Sequence, residues 1–118
     1  MPKTTSRISK RVPRKRPAAP SQPFEGWLIE QLKDPAEAAA YLEAVLEEGN
    51  QAAIMLALRQ VAQAQGGLAT IARKARLTRE ATYRMLSKSG NPELRSFSAI
   101  LKATGLRISV KPIENPAA

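Results

Sequence analysis

The chain has 118 residues and contains neither cysteine nor histidine. Without cysteine there is no disulfide and no thiolate metal site, and a reducing cytosol is the simplest home. Losing both residues removes the commonest general base, nucleophile and transition-metal ligands together. Carboxylates remain, but they fall at exposed helical spacing, with no cluster near a Gly-rich loop. The sequence therefore reads as a non-enzyme, with no cofactor and no metal expected. Aromatic residues make up only 4% of the chain, too few stacking platforms for an RNA-binding or nucleoid-packing protein. No apolar run approaches the roughly 20 residues that a membrane helix needs. The basic N-terminus leads into Pro17–Pro23, which is not the apolar core of a signal peptide. Pro13, Pro17, Pro20 and Pro23 would also interrupt the amphipathic helix of an organellar transit peptide. A cytoplasmic protein is expected.

What charge there is lies unevenly. Residues 1–23 carry seven Lys or Arg and no acid, whereas residues 24–58 carry seven acids against Lys33 alone. Residues 59–118 carry eleven basic residues and three acids, within a total of +9. Such segregation favours two differently charged surfaces that meet different partners.

Residues 1–23 hold five of the nine prolines, with Ile8 and Val12 as their large aliphatics. They cannot bury enough surface to offset ordering entropy, and a disordered basic tail is expected. Phe24, Trp27, Leu28 and Leu32 then fall at helical spacing, up to Asp34-Pro35. A second helix should start there, with Asp34 as cap and Pro35 in its first turn. Ala38, Tyr41, Leu42 and Val45 form its apolar stripe, while Glu37, Glu43, Glu47 and Glu48 face away. Gly49 ends it and Asn50 caps the next. That third helix, about 51–65, places Ile54, Leu58, Val61 and Ala62 on one face and stops at Gly66-Gly67. Helices near 68–75 and 79–87 follow, then a loop at 87–92. The last helix, about 93–104, carries Leu94, Phe97, Ile100 and Leu101 inward and closes at Gly105. Leu106, Ile108 and Val110 alternate with Arg107, Ser109 and Lys111, the pattern of a short half-buried strand. Too short to be stable alone, the strand is expected to pair with its copy in a homodimer. The fold class is all-α, with one short C-terminal strand.

The densest signal lies between Leu68 and Leu86, two short helices joined by a tight turn. That is the outline of a helix-turn-helix, which sets the front of its second helix into the DNA major groove. Leu68 and Ile71 point inward, and Ala72 allows the helices to cross closely. Leu77 plugs the turn, and Thr78 offers its hydroxyl as cap to the second helix. Thr82, Met85 and Leu86 face the core, leaving Arg79, Glu80, Tyr83, Arg84 and Ser87 outward. An arginine at the front of such a helix can pair with guanine in two-pronged fashion, or hold a phosphate. Glu80 could accept from a cytosine amino group or complement the helix dipole. Tyr83 could pack on a thymine methyl or bond to a phosphate. Arg76 stands where the turn usually has glycine, at a cost of roughly 1 kcal/mol for a left-handed backbone, and would face the phosphates. The candidate DNA-binding residues are thus Arg76, Thr78, Arg79, Glu80, Tyr83, Arg84, Ser87 and Lys88. Two amphipathic helices with a short turn also occur in helical bundles that never meet DNA.

From about Leu32 to Ile113 the chain resembles the short antidote proteins of HigA-like toxin–antitoxin addiction modules. The resemblance is carried by residues 32–35, 39–42 and 58–67, and then by Leu77-Thr78-Arg79-Glu80, Tyr83-Arg84, Leu86-Ser87, Gly90-Asn91-Pro92 and residues 105–110. It covers about two thirds of the chain, with Thr82 standing where a larger aliphatic is expected. The resemblance implies a homodimeric, λ-repressor-like helix-turn-helix bundle over residues 50–113. It also implies that the protein neutralises a small RNase-type toxin encoded beside it and represses their shared operon. The acidic region 24–49 is the candidate toxin-binding part, since charge complementarity speeds and selects encounters with a basic RNA-cleaving partner. A solvated outer face is the plain alternative for those acids.

Pro13-Arg14-Lys15-Arg16-Pro17 resembles the minor-groove core of an AT-hook, with Lys15 in place of its glycine. An electrostatic arm along the phosphates and an inert solubilising tail are the other readings of this segment. For the whole chain the main alternative is a free-standing, prophage-type transcriptional regulator with no toxin partner. A carboxylate enzyme ranks last.

Overall fold

The computed structural model describes residues 21–114, which form six α-helices and no strand. Helix α1 spans Ser21–Gln31 and so begins before Phe24, where the spacing had placed its start. Pro23 is no obstacle, because it falls in a first turn whose amides have no intrahelical acceptor. The expectation of a disordered tail lies, for residues 1–20, outside the described residues. On the outer side of α1 the rings of Phe24 and Trp27 stack at 5.9 Å, with Trp27 57% exposed. Leu32, just past the helix, is buried.

Local chemistry sets the next boundaries. Helix α2 (Pro35–Glu48) has Pro35 at its first position, and the Asp34 carboxylate accepts from the Ala36 amide at 3.0 Å. It ends at Gly49, whose φ of +76° is the left-handed conformation that glycine adopts freely. The Asn50 side chain then accepts from the Ala53 amide at 2.9 Å to open α3 (Gln51–Ala64).

Helix α3 is the centre of the fold, because α1, α2 and α4 all pack on it. Its buried face is wider than the expected stripe: Met55, Ala57 and Gln60 are buried along with Leu58, Val61 and Ala62. Three packing neighbours leave little of its circumference to water. Gln60 is tolerated because its side-chain oxygen accepts from the Tyr41 hydroxyl at 2.6 Å, as a buried amide requires. Partial burial, with Glu25 as a second cause, pushes the Tyr41 phenol above its ordinary value.

Helices α4 (Leu68–Ala75), α5 (Arg79–Met85) and α6 (Leu94–Ala103) complete the bundle, with α5 and α6 both packing on α4. Leu32, Leu42, Leu58, Val61, Ile71, Leu86 and Ile100 belong to one continuous core. Two expectations are corrected here. Leu94 is 73% exposed rather than inward: it opens α6, one turn before Phe97, the first α6 side chain packed against the core. Residues 106–110 form no strand among the described residues, because the chain offers them no neighbouring strand. Of these five, Leu106 is the anchored one, packing on the core while its amide donates to the Leu101 carbonyl at 2.8 Å. None of the described helices is long and apolar enough to cross a membrane.

Gly90 shows how tightly the loop after α5 is fitted. It is buried, and a Cβ there would overlap the Met85 carbonyl. Gly26, by contrast, faces open space on α1. Gly90→Ala should therefore lower unfolding stability by about 2 kcal/mol through overpacking. Gly26→Ala should raise it by about 0.5–1 kcal/mol, the usual gain in a helix interior. Urea denaturation followed by circular dichroism measures both, and equal effects would show that position 90 has room.

Candidate nucleic-acid interface

The sequence of the 68–86 segment builds a rigid corner. Helix α4 stops because Arg76 takes the left-handed conformation, φ +61° and ψ +41°, the single non-glycine residue with positive φ among those described. In this cap the Arg76 amide donates to the Arg73 carbonyl at 3.2 Å, and the Leu77 amide to the Ala72 carbonyl at 2.9 Å. Lys74 and Arg73 lie in the last turn of α4, where cations complement the electronegative helix end. Leu77 packs against the core from the turn. The Thr78 hydroxyl then accepts from the Ala81 amide at 3.0 Å, starting α5 with Glu80 in the first turn to complement its dipole.

Thr82, in place of a larger aliphatic, is fully buried. Its hydroxyl donates to the Thr78 carbonyl at 2.9 Å, so the polar group is satisfied within the helix. Arg79, Glu80, Tyr83 and Arg84 are all exposed, and Arg79, Glu80 and Tyr83 line one shallow surface depression. The Arg79 guanidinium lies 5.8 Å from the centre of the Tyr83 ring, a cation–π arrangement that restrains a flexible side chain. Ser87 and Lys88 are exposed too, but α5 ends at Met85, two residues short of the expected boundary, and they sit in the following turn. There the Ser87 hydroxyl donates to the Arg84 carbonyl at 2.8 Å, closing the helix early. Beside the corner, Lys74, Arg76 and Lys102 converge on an open depression whose lining contains no acid.

Residues 23–112 match the family described as probable addiction module antidote protein. The chain belongs to this family. An uncharacterised protein of Haemophilus influenzae is 35% identical over 84 residues, which is 71% of this chain and 86% of that protein. No solved structure matches the chain. The matched span takes in nearly all of the described fold of this antidote-family chain, the corner and the acidic helices included.

Three contacts that hold the corner in place were not readable from the sequence, although Arg59 and Gly90 lie in segments that carry the resemblance. Arg59 reaches from α3 to donate a hydrogen bond to the Leu86 carbonyl, and Gln51 donates to the Gly90 carbonyl at 2.9 Å. With Gly90 itself, they fix the C-terminal end of α5 from a different helix. Such bonds join residues 27 and 39 positions apart, and no local pattern announces them.

The strained corner yields a test. Arg76→Gly should raise stability by about 0.5–1 kcal/mol by relieving the left-handed backbone. A drop in melting temperature would mean that the Arg76 side chain contributes more than its backbone costs.

Proposed function

We propose that the chain is the antidote of a toxin–antitoxin pair, and that it both neutralises a small RNase-type toxin and represses its own operon. The observation that carries the DNA half is the exposed front of α5, where Arg79, stacked on Tyr83, follows the Thr78 cap. On this reading α4 and α5 are a helix-turn-helix of λ-repressor type. Arg79, Glu80 and Tyr83 meet base edges, while Arg76, Thr78, Arg84, Ser87 and Lys88 meet the sugar–phosphate backbone. Lys74 and Lys102 extend the basic surface along the phosphates. A homodimer presents two copies of α5 to half-sites about one helical turn apart. Family membership supports the toxin half. The acids of residues 24–49 supply the surface for a basic partner, and the bacterial cytoplasm is the proposed setting.

Arg79→Ala should cost about 1–3 kcal/mol on the cognate duplex and little on a scrambled one. Equal losses on both would reduce Arg79 to a phosphate clamp. Co-expression with the product of an adjacent small gene tests the other half: a soluble complex and relief of its toxicity support the antidote. An intact repressor whose neighbour is harmless points instead to a free-standing regulator.

Residues 1–20 lie outside the described fold, and their role is argued from charge alone. As an electrostatic arm they add affinity without reading sequence. Their removal should flatten the slope of log affinity against log salt by several units, at about 0.9 for each phosphate they neutralise, with the preferred site unchanged. An altered site preference would favour the AT-hook-like reading of Pro13–Pro17.

A further inference from the structure

Helix α1 carries an aromatic face that the fold leaves uncovered. Phe24 and Trp27 are 62% and 57% exposed, and their rings meet each other rather than the core. Acids adjoin the pair. Glu25 stands between the two aromatics in sequence and lies close enough to the Tyr41 hydroxyl of α2 to raise that phenol. Glu37, one turn before Tyr41, is exposed at the start of α2. Within residues 24–48 the single cation, Lys33, is already paired with Glu30 at 2.8 Å. Glu25 and Glu37 take part in no ion pair among the described residues. Arginine and lysine match such a face, since they stack on the rings and balance the carboxylates together.

We infer that the occupant is the chain's own N-terminal segment, residues 7–16, turned back through residues 17–20 onto the outer side of α1. Its length and place in the chain favour it over a separate molecule. Helix α1 begins at Ser21, so Pro17-Ala18-Ala19-Pro20 alone separates Arg14-Lys15-Arg16 from the helix. Four extended residues reach about 13 Å, whereas Trp27 lies about 9 Å along the helix axis from Ser21. Tethering holds the segment at an effective concentration in the millimolar range, which suits contacts that are individually weak. Charge favours it as well, because residues 1–20 hold seven Lys or Arg and no acid. Ile8 and Val12 add apolar side chains for the exposed rings. The contact depends on neither the DNA nor the toxin reading above. Where those readings hold, cations kept on α1 are withheld from DNA phosphates until a basic partner displaces them.

Because the chain has no cysteine, Ser9→Cys lets the full-length protein carry a single nitroxide label, and amide NMR signals broaden where that label approaches. At low salt, signals of residues 24–30 and 37–41 should broaden more than those of α6. Phe24→Ser combined with Trp27→Ser should reduce this broadening at least about threefold, the loss of cation–π contacts at an exposed site. Glu25→Gln combined with Glu37→Gln should reduce it too, as should raising salt from about 0.01 M to about 1 M, which shortens the Debye length from about 30 Å to about 3 Å. All four positions are exposed, and unchanged circular dichroism confirms that each double variant folds. Broadening that either double variant leaves unchanged would overturn the contact, since tethering alone brings the label near α1. A mixture of labelled chain with unlabelled, isotope-enriched chain should show no broadening of α1. Broadening there would overturn the proposal in favour of a second copy's segment.

Discussion

The close packing of α3 inside its three neighbours is the constraint on which the remaining structure depends. Ala57 and Ala62 on α3 and Ala72 on α4 are buried, and small side chains there let the helix axes approach. Because α3 touches α1, α2 and α4, the acidic N-terminal helices and the basic corner share one core. The acidic helices and the basic corner are thus tied to a common spine, so mutations in it should disturb both surfaces at once.

The corner itself is held at both ends by different physics. At the front, capping is local: the Thr78 hydroxyl and the left-handed Arg76 act within a few residues. At the back, α5 is only seven residues long, too short to be stable alone. Arg59, Gln51 and Gly90 hold its end through tertiary contacts. A short helix with such support presents its outward side chains in a reproducible arrangement. The stacking of Arg79 on Tyr83 carries the same restraint out to the surface.

How much of this was legible follows from the range of each interaction. The caps at Asp34, Asn50 and Thr78, the stop at Gly49 and the unusual backbone of Arg76 were readable because each acts within one turn. The sequence also carried the resemblance that the family match upholds. Leu94 misled, because its spacing fits the apolar stripe while the helix starts before it meets the core. The strand at 106–110 misled differently: its alternation is present, but a strand is a relation between two segments, and one chain supplies only one. Arg59 counted as charge and as part of the resemblance, and its bond to the Leu86 carbonyl became visible only in the fold. In the candidate site, the outward set of Arg79, Glu80, Tyr83 and Arg84 followed from helical period. Placing Ser87 and Lys88 beyond the helix depended on a side-chain bond to Arg84.

The aromatic pair on α1 has a practical side. Trp27 is the only tryptophan in the chain, and it sits on the outer side of the first helix rather than in the core. Its fluorescence therefore reports the surroundings of the acidic N-terminal surface, and reads out core packing only weakly. Anything that covers α1 should shift the emission to shorter wavelength, while a ligand engaging α5 should leave it nearly unchanged. The molecule thus carries an intrinsic optical label on one of its two faces, and a single titration can tell which face a ligand has reached.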